Sequence, residues 1–149
     1  MGLPLDESLE GREGHPFALE IERGKVREFA RATRSTNLAY VGSDAIIPPT
    51  FLATSAFWQS SETNPFLGVD RDLAHTLHGE QEYIFYDGLP AVGDALTGVV
   101  RIERVFSKPG KRGGQLTFST VVTEYRDNKG KLIAEARATY IQTSRVLTG

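Results

Sequence analysis

The sequence predicts an α+β domain in which a twisted antiparallel sheet curls around one central helix. Three observations predict it. The first is the stretch Pro49–Gln59. It follows Pro48, and proline is tolerated in the first turn of a helix, where its missing N–H costs nothing. The rest of the stretch has no glycine and no charge, and Phe51, Leu52, Ala53, Ala56, Phe57 and Trp58 go round the helix instead of forming one stripe. That is the pattern of a helix buried on most sides; an ordinary core helix is the plainer alternative. The second observation is that, from His78 onward, the chain becomes long alternating runs separated by turn residues, the signature of strands. The third is the alternation of Ala134, Ala136 and Ala138 in the last run. Small residues in that register leave a shallow trough that a helix can approach closely, with Phe57 or Trp58 filling the space. Sheet against helix buries the apolar side of both elements, and this arrangement is the hot-dog architecture.

Each element has its local reason. Residues 1–15 mix glycine, proline and charges without periodicity and read as a loose N-terminal arm; residues 16–149 read as a single domain. Phe17, Leu19 and Ile21 alternate with Ala18, Glu20 and Glu22 in a half-buried strand. After Arg23-Gly24 the period lengthens. Val26, Phe29, Ala30 and Thr33 fall at helical spacing, and Ser35-Thr36-Asn37 favour a cap or turn. Asn64-Pro65 and Gly68 mark turns, and Leu73 to Leu77 is compatible with a helical turn. Four strands in meander order are then expected. The first spans His78–Tyr86. In the second, Leu96, Gly98, Val100, Ile102 and Phe106 share one face. In the third, Leu116, Phe118, Thr120 and Val122 share one face, with Val121 and Tyr125 opposite. The fourth runs from Leu132 to about Thr143. Asp127-Asn128-Lys129-Gly130 has hairpin chemistry. Thr117, Ser119, Thr123 and Thr139 put the other sheet face in water. An open sheet edge invites pairing with a second chain, so a dimer is expected.

Composition excludes several function classes. A chain of 149 residues with a formal net charge of -2 gives no electrostatic footprint for nucleic acid or an anionic membrane. The absence of cysteine removes disulfides, thiolate zinc sites and thiol nucleophiles, and fits a cytoplasmic protein. No apolar run resembles a signal peptide or a spanning helix. With only His15, His75 and His78, a three-histidine metal cage would need all of them. No metal and no cofactor is expected.

Candidate chemistry is confined to a few places. Asp70, Asp72, His75 and His78 form either a carboxylate–imidazole group, if their turn is helical, or a solvated loop. His78-Gly79-Glu80-Gln81 opens a strand. It is either a polar gate to an acyl tunnel, with the Gly79 region offering an N–H to a thioester carbonyl, or an ordinary strand start. The basic turn Lys108 to Arg112 either meets the phosphates of a carrier or is a solvated hairpin tip.

The helix Val26–Thr33 and the segments Asn37-Leu38-Ala39-Tyr40, Ile47-Pro48-Pro49-Thr50-Phe51, Leu77-His78-Gly79-Glu80-Gln81 and Leu89-Pro90-Ala91-Val92-Gly93-Asp94 together resemble the N-terminal-type MaoC-like dehydratase domain. They look like the HadA-type subunit of a (3R)-hydroxyacyl-thioester dehydratase, the resemblance covering about residues 16–143. The resemblance implies a hot-dog fold, acyl-CoA or acyl-carrier-protein substrates, and reversible gain or loss of water across the 2,3-bond of the acyl chain. It also brings a departure. Catalytic members carry an Asp–His pair in the form Gly-Asp-x-Asn-Pro-x-His. With Asn37 in register, the Asp position is Ser35 and the His position is Tyr40.

Water addition needs a base for the water and an acid for the α-carbon. Ser35 has no base beside it in sequence, and a tyrosine with an ordinary pKa near ~10 is a poor base at neutral pH. The resemblance therefore implies a substrate-shaping subunit with a degenerate dyad at Ser35 and Tyr40. Asn37, His78 and Gly79 are the candidate substrate-binding residues. The chain would pair with a catalytic MaoC-like subunit, or with itself using residues such as His78 or Tyr40. Two alternatives are a non-catalytic acyl-thioester-binding protein and a hot-dog thioesterase. The thioesterase would want a carboxylate on or near the central helix, and Pro49–Gln59 has none.

Overall fold

The computed structural model describes residues 1–144. Its frame is a five-stranded antiparallel sheet. The strands are β1 (Phe17–Glu20), β2 (Thr76–Phe85), β3 (Ala95–Pro109), β4 (Gln115–Arg126) and β5 (Leu132–Thr143), and one α-helix, α1 (Arg23–Ala32), follows β1. The order across the sheet is β1-β3-β4-β5-β2. The last three strands form the expected meander, but β2 does not join it through β3; it pairs with β5 from Thr76↔Gln142 to Phe85↔Ala134. The reason is the connection after β2. It packs on the segment before the central helix, with Ile47 N–H donating to the Pro90 carbonyl (2.9 Å) and Val92 N–H to the Ala45 carbonyl (2.8 Å). The chain is thereby carried across the end of the sheet to its other side.

The central segment forms between Phe51 and Trp58, as a 3-10 helix. The Thr54 hydroxyl donates to the Phe51 carbonyl at 2.8 Å, competing for an acceptor that an α-helix would give to the next N–H. Three residues per turn stack positions three apart into rows. Leu52, Ser55 and Trp58 form the row that enters the fold, with Leu52 and Ser55 buried and Trp58 half-buried. Phe51 is buried and meets Phe29 of α1 edge-on at 5.6 Å. Phe51, Thr54 and Phe57 form a second row, which runs out of the fold: Phe57 is 87% exposed. The expectation of a segment buried on most sides is thus corrected: Ala53, Ala56 and Phe57 are exposed. Neither large ring fills the alanine trough. Phe57 points to solvent, and Trp58 lies against Ala18, Leu19 and Leu96 at the β1 edge.

Two register details revise the strand faces. A bulge between Ile102 and Arg104 shifts the facing of β3, because one extra residue exchanges inside for outside. Leu96, Val100 and Ile102 are buried as expected. Beyond the bulge Val105 is the buried residue at 2% and Phe106 is 38% exposed, stacked on Phe118 at 4.9 Å. On β4 the core-facing row is Val121 and Tyr125, with Thr123 beside them, not the row ending in Val122. Ser119 and Thr123, expected in water, are buried. Val122 is also fully buried, in register between Arg101 and Arg137, whose aliphatic stems can cover it. Both faces of mid-β4 are therefore protected, which is why alternation misplaced its core face.

The first fifteen residues are tied down instead of loose. Leu9 is 4% exposed. Gly11 N–H donates to the Ile102 carbonyl (2.8 Å) and Gly14 N–H to the Val100 carbonyl (2.9 Å). At Gly98 a side chain is excluded outright, since an added Cβ would stand 2.3 Å from the ring of Phe17, its partner across β1 and β3. No helix among the described residues is long and apolar enough to cross a membrane.

Candidate functional site

The unfilled alanine trough is the centre of the site. A cavity of about 260 Å³ runs between the 3-10 segment and the sheet. Leu52, Ala53, Ser55, Ala56 and Gln59 form one wall; Val121, Thr123, Tyr125, Ala136, Ala138 and Tyr140 form the other. Small alanines on both walls are what keep it open. A second chamber of about 510 Å³ continues from it, lined by Asn64, Phe66, Arg71, Thr76 and Leu77 among others. The two share Gln59, His78, Val100, Val121 and Tyr140, so they meet around His78. The result is a narrow groove opening into a wider vestibule, both lined by polar and apolar groups in similar measure.

The inner groove holds one buried polar pair. Tyr125 Oη lies 2.7 Å from Ser55 Oγ, and Tyr125 is 1% exposed. Burial pushes the Tyr125 phenol up to about 12, against the opposing effect of the Ser55 hydrogen bond. At neutral pH it is a hydrogen-bond donor and not a base. Burial, with Tyr140 adding to it, also raises Tyr83 at the rim. Alternation alone gave no sign that Ser55 and Tyr125, 70 residues apart, would meet.

Of the candidate site residues singled out from sequence, His78 lines both cavities and Gln81, from the same gate segment, lines the groove. His78 Nε2 lies 3.0 Å from the Glu80 carbonyl, and the His78 ring is 5.2 Å from that of Tyr140. In neutral histidine that contact assigns the proton to Nε2 and leaves Nδ1 as the basic atom. Gly79 sits in a bulge between His78 and Glu80; a Cβ there would come within 2.8 Å of Ile141 Cδ1, so its missing side chain makes room for β5. Ser35, Asn37 and Tyr40 lie together in the turn after α1 and line neither cavity. There Ser35 Oγ accepts from Asn37 N–H at 3.3 Å, Asn37 Oδ1 caps the next turn through Ala39 N–H at 3.0 Å, and Tyr40 packs half-buried on the core.

The acidic–histidine turn forms in part. Asp72 Oδ2 is 2.8 Å from His75 Nδ1 in the 3-10 turn Leu73–His75, while His78 is engaged with β2 and Tyr140. No group of three or more His, Asp or Glu side chains that could hold a metal occurs among the described residues. No residue of the Lys108–Arg112 turn lines either chamber.

The comparison with known families now bears on this geometry. Residues 8–136 match the model of the FAS1-like, dehydratase domain region. The chain belongs to this FAS1-like dehydratase family. It is similar to a UPF0336 protein of Streptomyces griseus, 32% identical over 146 residues covering 90% of this chain and 92% of the relative. It is also 35% identical over 120 residues to a UPF0336 protein of Streptomyces coelicolor, covering 72% of this chain and 78% of that one. Among solved structures, a chain of the C-terminally truncated HadBC (3R-hydroxyacyl-ACP dehydratase) complex of Mycobacterium tuberculosis superimposes with a TM-score of 0.72 at 20% identity, over 91% of this chain and 99% of that one. The (R)-hydratase from A. caviae gives 0.57 at 16% identity over 88% and 94%. The ChsH1–ChsH2 complex of Mycobacterium tuberculosis gives 0.63 at 13% identity over 91% and 87%. The dehydratase-family domain is a hot-dog fold.

Proposed function

We propose that this chain is the substrate-shaping half of an acyl-thioester hydratase or dehydratase, and that a partner subunit brings the acid–base pair. The observation that carries the reading is the composition of the groove. Alanines on both walls leave room for an acyl chain, yet among the described residues one histidine and no carboxylate line the groove and its vestibule.

In this reading the acyl chain lies along Ala53, Ala56, Ala136 and Ala138, with its thioester near His78 and Gln59 where the chambers meet. Fixing the 2,3-bond against the sheet limits its orientation, and positioning of that kind is worth several orders of magnitude in rate. The missing steps are activation of water and protonation of the α-carbon. With Asn37 in register, Ser35 and Tyr40 take the dyad positions in this reading and offer neither. Tyr125, held protonated, offers no base inside the groove.

Surface properties support a partner. Phe57, Leu73 and Leu77 are 87%, 69% and 63% exposed, and among the described residues β2 pairs only with β5, leaving its other edge free. Exposed apolar side chains beside an unpaired strand edge favour association. HadBC and ChsH1–ChsH2 are themselves two-subunit complexes.

The experiment is hydration of crotonyl-CoA, or of its carrier-protein counterpart, by this chain alone and after mixing with a MaoC-like subunit that retains Asp–His. Activity only on mixing is expected. Brisk turnover by the chain alone would replace this reading with a self-sufficient dimer using His78. Binding of acyl thioester without turnover in either case would select a non-catalytic carrier of acyl groups. Hydrolysis of the thioester in place of hydration would select a thioesterase.

A further inference from the structure

Arg71 is not needed for any step above, yet it occupies the vestibule in an unusual state. Its guanidinium carbon lies 4.1 Å from the ring centre of Phe66 and 5.5 Å from that of Tyr140. Its Nε is buried and has no hydrogen-bond partner. Among the described residues it forms no ion pair; the neighbouring Asp72 carboxylate is instead on His75 at 2.8 Å. Desolvation lowers the pKa of the group, and no carboxylate contributes to hold it up. An arginine remains charged in such a place all the same.

A half-buried cation whose Nε is sealed from solvent and without a counter-charge carries part of the cost of desolvation. The two rings return part of that cost through their π faces, but they leave the in-plane N–H groups to be satisfied by something else. The surroundings suit an anion. No aspartate or glutamate lines the vestibule. Asn64 Oδ1 already accepts from Phe66 N–H at 3.0 Å, so the part of its amide left for a ligand is the donor NH₂. A guanidinium held by its faces presents a planar fork of donors, the geometry that carboxylate and phosphate match with two parallel hydrogen bonds.

We infer that Arg71, seated on Phe66 and Tyr140 with its Nε unpaired and its guanidinium lining the vestibule, is an oxoanion site that fixes a carboxylate or phosphate of the ligand whose acyl chain occupies the adjoining groove. This rests on the thioester reading of the groove and adds to it a charge requirement. The oxoanion has two sources. It is either a phosphate of the carrier or a carboxylate on the acyl group, and the chemistry at Arg71 is the same for both.

Calorimetric titration of the full chain with three probes separates these. Butyryl-N-acetylcysteamine is a neutral thioester, succinyl-N-acetylcysteamine adds a carboxylate without phosphate, and butyryl-CoA adds phosphates without a carboxylate on the acyl group. At least one acidic probe should bind wild-type protein about tenfold or more tightly than the neutral probe, as expected for a charged, desolvated hydrogen bond. Which acidic probe shows the gain names the source. Arg71→Gln should erase the gain and leave neutral-probe affinity within about twofold. Arg71→Lys, which keeps charge and loses the planar fork, should keep only part of it.

Equal binding of all three probes to wild type, or a gain that survives Arg71→Gln, would overturn the inference while leaving the groove reading intact. Failure of the neutral probe alone would sink the groove reading and leave Arg71 standing; failure of every probe would sink both. Should Arg71→Gln not fold, the ¹⁵N–¹H signal of Arg71 Nε in wild-type protein decides. A shift with the acidic probe and none with the neutral one supports the site, and no shift with either refutes it.

Discussion

The turn Ser35–Tyr40 and the groove beneath Phe51–Trp58 are the two regions a functional reading must choose between, and they are built in opposite ways. The turn is local. Ser35, Asn37 and Tyr40 lie within six positions and bond mainly to one another's backbone. The groove is assembled from distant segments, with Ser55 meeting Tyr125 across 70 positions and alanines of the 3-10 segment facing alanines of β5. A short motif can therefore report that a family's dyad is missing. Only the fold can say where the ligand space is.

The largest expected contrast lies within the 3-10 segment itself. Phe51→Ala removes a side chain that is 1% exposed and should cost about 3–5 kcal/mol in urea unfolding. Phe57→Ala, six residues on and 87% exposed, should change the unfolding of the isolated chain by about 0.5 kcal/mol or less, and should weaken association with a partner instead. Equal costs would mean that the row leaving Phe51 does not end in solvent at Phe57 as described.

Next in size is the pH response of Tyr125, whose phenol is pushed up to about 12 by burial. The unfolded phenol titrates near ~10. Below that value neither state loses the proton and stability is flat. Between about pH 10 and 12 the unfolded state ionises first, so stability falls with rising pH by roughly 2–3 kcal/mol. Tyr125→Phe should remove that part of the alkaline loss; an unchanged alkaline profile would show that Tyr125 is not the group concerned.

Ala136→Leu sharpens the comparison from the groove side. Sequence alone suggests overfilling, with a cost of about 1–3 kcal/mol. Because Ala136 borders an open cavity, a leucine has somewhere to go. The expected stability change is below about 1 kcal/mol, with acyl-thioester binding weakened. A large loss of stability with binding intact would restore the packed-trough view. Smallest of all, Ser35→Ala removes one 3.3 Å bond to Asn37 N–H and should alter both stability and binding by no more than about 0.5 kcal/mol.

What the sequence made legible follows from the range of the forces involved. Periodicity located α1 and the strands because each alternation is a local consequence of one buried face. The alanine row on β5 was read correctly as a trough, with Ala134 fully buried and Ala136 and Ala138 on the cavity. What would fill it was not legible, since a 3-10 helix and an α-helix place Phe57 and Trp58 on different faces, and the choice turned on the Thr54 hydroxyl. The bulge at Ile102–Arg104 reversed the facing of Val105 and Phe106 with no marker in composition. On β4, Val121 and Val122 are both buried, so a period of two had no exposed face to detect. His78 was recoverable from its motif; Arg71 was not, because it sits between two aspartates in sequence and its two rings arrive from elsewhere.

The account turns on which region meets the acyl chain. The most direct test is a methyl-alanine NMR titration of the ¹³C-labelled chain with butyryl-N-acetylcysteamine. Shifts at Ala53, Ala56, Ala136 and Ala138, with Ala39 beside Tyr40 unmoved, are the predicted result. A shift at Ala39 with the four groove methyls silent would contradict it.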